Sequence, residues 1–358
     1  MARPTSGRSS IATLNSQARI RFGTRVSGRS LLRRILIIAP LGLSLLLGAC
    51  SGSPSFLDPQ GPRASSVATL WWIVTGMGIV IFVIVVAILL YAVYRNPSQE
   101  EQQQERPFGT KLLWVGGITV PLLVFAFIYA LSVRDMVASG NPGSPAVTIE
   151  VIGHQWWWEV RYPQQRIVTA NEIHIPAGEN ALVKLTSADV LHAFWVPQLH
   201  GKLDTVPGQT NSITLKASHP GTFRGECLVY CGLQHATMNF IVVADSPDQF
   251  AAWLSNQAST PSTPADPNLV KGQQVFLGSA CVYCHSLAGT NASGDIGPNL
   301  THLASRQQLG AGALPNNVGS LGGWIINPQV SKPGNLMPPE NFSGPDLQAL
   351  LAYLESLK

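Results

Sequence analysis

The chain is poor in charge. Only 12% of its 358 residues are Asp, Glu, Lys or Arg, and two long stretches, 64–94 and 112–133, contain none at all. It also lacks an internal repeat, a Walker-type phosphate loop and a nucleic-acid-binding signature, so nothing points to nucleotide hydrolysis or nucleic acid. The net charge of +4 does not point there either. Residues 1–34 hold eight arginines (Arg3, Arg8, Arg19, Arg21, Arg25, Arg29, Arg33, Arg34) and no acid, whereas residues 50–358 carry 15 basic against 19 acidic side chains, a net of −4. The positive charge is a targeting feature. Cysteine is scarce as well: there are five, and four of them stand in two close pairs, Cys227 with Cys231 and Cys281 with Cys284.

The arginine-rich start leads into ILIIAPLGLSLLLGAC, an apolar run that ends in small residues at Cys50. That order is the pattern of a secretory signal over residues 1–49. The LGA–Cys50–SGS junction resembles a bacterial lipoprotein signal, which implies cleavage before Cys50, lipid on its sulfur and a short periplasmic segment over 50–63. An ordinary signal peptide or an uncleaved anchor is the alternative. The two uncharged runs each exceed the roughly 20 apolar residues that cross a bilayer as a helix. Trp71, Trp72, Tyr91 and Tyr94 stand near the ends of the first, where amphipathic rings favour the interface. Residues 64–134 are therefore expected to form a transmembrane helical hairpin in the bacterial plasma membrane. A translocated Cys50 puts the loop 95–111 in the cytoplasm and the rest of the chain on the periplasmic side. That loop mixes Arg95, Arg106 and Lys111 with three glutamates, so the positive-inside bias adds little.

After a Gly/Pro/Ser linker at 139–146, the stretches VTIEVIGHQWWWEVRY, NEIHIPAG, NALVKLTS, NSITLKA and MNFIVVAD read as strands bounded by turn residues. Their spacing predicts a β-sandwich or barrel, closed by a capped helix in SPDQFAAWLSNQ. Residues 257–268 form a Pro/Ser/Thr linker, extended by composition. Helical segments around Gly- and Pro-rich loops then fill 269–358.

CVYCH (281–285) is the pattern for covalent attachment of a c-type haem: two thiols add to the haem and the adjacent histidine reaches the iron. A disulfide is the bland alternative. GPNL (297–300) resembles the class I cytochrome c segment whose proline carbonyl orients the proximal imidazole. GGWIINPQVSKPGNLMPP (322–339) is similar to the segment that delivers a methionine from the far side. The expected haem c ligands are Cys281 and Cys284 covalently, with His285 and Met337 axial, a pair suited to electron transfer. His302 is the rival sixth ligand, although it stands close to the proximal loop.

CLVYCGLQHATM (227–238) combines thiolate, imidazole and thioether, a soft set that favours copper over calcium or magnesium. Two thiolates in one loop can bridge two coppers if each ion also finds an imidazole, and LHAFWVPQLHGKLDTVPG offers His192. A disulfide would leave His235 and Met238 without a purpose, and Cys₂His₂ zinc has no need of Met238. This stretch, the loop and GHQWWW (153–158) together resemble subunit II of the haem–copper cytochrome c oxidases over most of 64–254. The cytochrome c fused behind makes it the caa-type. The resemblance implies a cupredoxin-like β-sandwich at 146–256 and an all-α class I cytochrome c domain at 269–358. It also implies a binuclear copper centre bridged by Cys227 and Cys231. His192 and His235 would each bind one ion, with Met238 and the Val229 backbone carbonyl completing the set. Trp156 would be the point where electrons come in. His154, His174, His200 and His219 are left as structural or surface residues. Many family members have a magnesium-binding glutamate where this chain has Val229, so magnesium is doubtful, with Asp204 the remaining candidate. A glutamate expected in the second membrane helix is also missing, since 112–133 contains no acid.

The implied function is that of the electron-accepting subunit of a proton-translocating membrane terminal oxidase. Electrons from a quinol–cytochrome c reductase or a soluble cytochrome would pass through haem c and copper to catalytic subunit I, assembled with subunit III. Oxygen chemistry belongs to that partner; no catalytic residue for it is expected here. A copper-containing nitric oxide reductase subunit and a copper-delivery protein are the rival readings. The linker reaches roughly 30 Å at about 3.1 Å per residue, and residues 269–358 balance four basic against four acidic side chains. The expectation is a tethered haem domain that visits the copper domain through a weak contact.

Overall fold

The structure, a computed structural model, describes residues 54–94, 107–139 and 144–358. The expected signal peptide and Cys50 lie outside these described residues, as does the 95–106 part of the loop.

Helix α1 (Pro62–Tyr94) is apolar along its length; α2 (Pro107–Trp114) runs through a π-helical turn (Val115–Thr119) into α3 (Val120–Ser139). Pro62–Tyr94 and Gly109–Val137 each contain an 18-residue stretch of high mean hydropathy, 3.1 and 2.2 respectively. Phe82, Leu89, Leu113 and Phe125 are all more than half exposed on these helices. A helix that is apolar all round needs an apolar surrounding. Both are long enough to supply the membrane-spanning pair.

The next region is a sandwich of two five-stranded sheets. One has the order β3 (Ile167–Ala170), β2 (Trp157–Tyr162), β1 (Val147–His154), β5 (Ala181–Ser187), β8 (Asn211–Leu215). The other has β4 (Glu172–Pro176), β10 (Asn239–Asp245), β9 (Gly221–Cys227), β6 (His192–Trp195), β7 (Leu203–Thr205). Pairing is antiparallel except for β1 with β5 and β4 with β10. In β1 every second side chain is buried, the two-residue period of a strand with one face on the core. Trp158, Tyr162, Phe194 and Phe240 fill that core with no exposed surface. The five strand-like stretches of the sequence are all here. β3, β6, β7 and β9 are additional, because HAFW or GTFRGEC shows too little alternation to announce a strand. Helix α4 (Pro247–Gln257) closes the sandwich, started by a capping box of Ser246 and Gln249.

The last region is helical apart from one two-residue ladder, β11 (Gln308–Leu309) with β12 (Leu314–Pro315). Helix α5 (Pro267–Leu277) starts at an Asp266 cap and is followed by α6 (Cys281–Cys284), α7 (Val318–Ile326), α8 (Pro328–Ser331) and α9 (Gly344–Ser356). Helices α5 and α9 cross at Gly272, where a Cβ would come 2.0 Å from the Ala349 carbonyl oxygen. Only glycine lets the two backbones approach that closely.

Candidate copper and haem sites

The loop 228–238 is the hairpin connection from β9 to β10. The ladder pairs Glu226 with Asn239, and the next pair of backbone groups closes the loop with Cys227 N–H donating to the Met238 carbonyl, 3.1 Å. Cys227 and Met238 are thereby fixed at the two mouths of the loop. On the other side β9 pairs with β6, setting Cys227 opposite Phe194. His192 lies two residues from Phe194 and so projects on the same face. This long-range register brings His192 to the cysteines.

The donor atoms converge. Cys227 Sγ lies 3.8 Å from Cys231 Sγ, 3.9 Å from His192 Nδ1 and 3.3 Å from the Val229 carbonyl oxygen. Cys231 Sγ lies 3.7 Å from His235 Nδ1 and 3.7 Å from Met238 Sδ. Each sulfur thus has its own imidazole and its own third donor. His192, Cys227, Cys231 and Met238 are buried, while His235 is half-buried. His192 Nε2 is held by Asp189 Oδ1 at 2.8 Å, which leaves Nδ1 to face the sulfurs. A hydrogen bond with the Cys231 thiol, chief among the causes, and one with His192 hold Cys227 down to about 3, while that same bond, then burial and the Cys227 charge, push Cys231 up. Two thiols with four further lone-pair donors around them fit a pair of soft cations. All six copper donors named from the sequence are brought together.

The second site is a cavity lined by Cys281, Cys284, His285, Pro298, Met337 and the apolar residues of its domain. His285 Nδ1–H donates to the Pro298 carbonyl at 2.7 Å, turning the Nε2 lone pair away from that bond. Burial, reinforced by the Arg306 charge, holds His285 below the ordinary histidine value and keeps it neutral. Gly297 makes the close approach possible, since a Cβ there would meet the imidazole at 2.6 Å. Arg306 also lines the cavity; it is half-buried, donates to the Asn299 carbonyl and has a buried Nε with no partner. A guanidinium with a spare buried donor beside an apolar cavity fits a group that is largely apolar and bears carboxylates, as haem does.

Other sequence candidates lie elsewhere. His302 is buried against the Lys358 and Ser259 carbonyls, 2.8 and 3.1 Å away, and does not line the cavity. His154 contacts Glu159, His174 is clasped by Asp245 and Glu172, His200 bonds the Gly201 carbonyl and His219 is exposed. Asp204 is half-buried and paired with Lys202 at 2.8 Å. Trp156 is half-buried; its Nε1–H donates to the Cys231 carbonyl at 3.1 Å, and the residue also lines the haem-type cavity.

A family description, "Cytochrome C oxidase subunit II, periplasmic domain", matches residues 164–245, and "Cytochrome c" matches 269–358. The cytochrome c oxidase subunit 2 of Alkalihalophilus pseudofirmus is 36% identical over 333 residues, covering 88% of this chain and 95% of that protein. The chain belongs to the cytochrome c oxidase subunit 2 family. The subunit 2 of Bacillus subtilis is 29% identical over 352 residues, 91% of this chain and 98% of its own length. The solved periplasmic domain of subunit II of cytochrome oxidase from Bradyrhizobium japonicum matches 33% of this chain and 96% of itself, at 29% identity and a TM-score of 0.32. With both domains in one chain, this is a caa-type fusion and a subunit of a membrane oxidoreductase complex. The family implies a copper site in the sandwich, haem c in the C-terminal domain and partnership with a catalytic subunit I.

Asp189 and Lys332 escaped the sequence reading. Asp189 had one signal, a carboxylate three residues before His192; its Oδ2 also accepts from the Gln155 backbone at 2.5 Å, tying His192 to the turn that carries Trp156. Lys332 had none.

Proposed function

We propose that this subunit takes electrons from an external cytochrome or reductase and passes them, through haem c and then a copper pair, to subunit I, which works with subunit III and reduces oxygen to water. The convergence of four further donors within 3.9 Å of the two thiols, themselves 3.8 Å apart, is the observation that carries this reading. Cys227 and Cys231 would bridge the coppers. His192 with the Val229 carbonyl, and His235 with Met238, would complete the two ions. Cys281 and Cys284 would hold the haem covalently, with His285 and Met337 as axial ligands. When bound, these groups supply one-electron redox chemistry. The protein's own work is placement. Asp189 orients His192, Pro298 orients His285, and burial excludes water from the sulfurs. Both domains would stand on the periplasmic face, beyond α3.

Metal analysis and electron paramagnetic resonance test the assignment. Wild-type protein is expected to hold two coppers per chain sharing one unpaired electron. Cys227→Ser or Cys231→Ser should abolish that signal, and an unchanged spectrum would refute the bridge. Met337→Ala should remove the absorption of a methionine-ligated ferric haem, while His302→Ala leaves it. Oxygen rather than nitric oxide consumption by the assembled complex separates this reading from a nitric oxide reductase.

A further inference from the structure

The linker composition suggested a roving haem domain, but the structure has it seated on the copper domain. Gln234 Nε2–H donates to the Pro333 carbonyl at 2.5 Å, Asn239 N–H to the Ala311 carbonyl at 3.0 Å, and Gln307 N–H to Glu172 Oε2 at 3.0 Å. At the centre of this contact is Lys332, 3% exposed although it carries an ammonium. Its Nζ donates to three backbone carbonyls: Trp156 at 2.7 Å, Thr237 at 2.8 Å and Gly310 at 2.8 Å.

Each acceptor belongs to a different part of the machinery. Trp156 bridges the copper loop and the haem-type cavity. Thr237 sits in the copper loop between His235 and Met238. Gly310 belongs to the turn between β11 and β12, beside the same cavity. An ammonium has three N–H donors, and all three are used. A buried charge is costly unless its donors are satisfied, so Lys332 is strongly disfavoured in any seating that removes one carbonyl. This makes the contact selective for one geometry.

We infer that Lys332 is a positioning residue: its ammonium fixes the haem domain in one orientation on the copper loop, so that electrons cross a fixed gap rather than wait for a mobile domain. The inference rests on the proposed electron path, yet the seating itself can be measured without it. Gln234, hydrogen-bonded to Pro333 next to the lysine, reinforces the same contact.

The test uses the full chain in detergent, with spectroscopic labels at exposed Ser218 and Gln348. Wild-type protein should give one narrow label-to-label distance, with or without copper. Lys332→Met should broaden that distribution and slow haem-to-copper transfer after flash photoreduction at least tenfold. Its copper content and both metal spectra should stay as in wild type. Lys332→Arg, which keeps the charge and the donors, should restore part of both losses. A narrow distance and a rate within twofold of wild type in Lys332→Met would overturn the inference. Should that variant not fold, amine-reactive labelling of wild type decides: Lys332 should stay unmodified while exposed Lys202 and Lys271 react, and equal reactivity would overturn the seating. Absence of the copper pair from wild type would instead count against the proposed function, leaving the label distance to judge Lys332.

Discussion

Trp158, Phe194 and Phe240 close the interior of the copper domain on one another, with ring centroids 4.5–5.9 Å apart, whereas the middle of the haem domain is a cavity walled by its own core residues, Phe276, Leu303, Leu321 and Leu350 among them. The difference concerns what each fold needs. The sandwich buries its apolar surface without help, and the donors proposed for copper stand at one end of it, in the 227–238 loop and on β6. The haem domain has spread its core around a space, so the walls of that space lack partner atoms unless a large apolar group fills it.

The sharpest way to break this comparison is to prevent filling. Cys281→Ala with Cys284→Ala should leave the haem domain without a cooperative unfolding transition, while the copper domain keeps its own. Emptying the place of one large buried side chain costs about 2–5 kcal/mol, and haem stands in for several against a domain stability of only ~5–15 kcal/mol. Limited proteolysis followed by mass analysis reads both halves in one sample. A resistant haem domain in the double variant would show that its core closes by itself. Stripping copper with a chelator should, in contrast, leave the sandwich folded.

A smaller effect is expected one step out from the copper donors. Asp189→Ala removes the acceptor of the His192 Nε2–H bond, freeing the ring whose Nδ1 faces the sulfurs and is proposed to bind copper. Loss of such a partner typically weakens metal binding about 10–100-fold, and the change should appear in a competition titration against a copper chelator. The fold should persist, because Asp189 lies at the edge of the sandwich, outside its apolar core. Unchanged copper affinity would mean that packing alone orients His192.

The sequence was most readable where the chemistry is local. CVYCH and the Cys227–Met238 loop each place their donors within a dozen residues, and strand hairpin geometry or a short helix does the rest. His192 could be offered as the second imidazole, but nothing local placed it beside the cysteines, since its approach depends on the register of β6 against β9, and register is a long-range property. Lys332 illustrates the limit more severely. A balanced count of four basic and four acidic side chains in 269–358 suggested a weak, uncharged contact. One of those bases is buried at the seam, and three of its bonds run to backbone carbonyls, which no pattern of side chains advertises. The helical domain likewise hid its β11–β12 ladder, two residues being too short for any period.

The mildest expected effect concerns the same contrast seen through pH. The copper domain carries a buried charge cluster at the end away from its metal donors. His174 Nδ1 faces Asp245 Oδ2 at 2.6 Å, Nε2 faces Glu172 Oε1 at 3.1 Å, and the ring stacks on Trp253 at 4.1 Å. Burial alone would lower the His174 pKa, but the hydrogen bonds and negative charges of Asp245 and Glu172 outweigh it and hold the pKa above the ordinary value. The folded state therefore binds the proton more tightly than the unfolded chain. Its stabilising contribution is complete below the unfolded histidine value near 6.5 and is lost as pH rises through the higher folded value. Glu172 also accepts from the Gln307 backbone across the domain contact, so the loss should loosen that edge as well. Thermal unfolding followed by tryptophan fluorescence should show a copper-domain midpoint that falls between pH 6 and pH 8.5. His174→Gln, which keeps a polar side chain but cannot titrate, should lower the midpoint at pH 6 and flatten the slope. Parallel slopes for wild type and variant would place the pH sensitivity elsewhere in the domain.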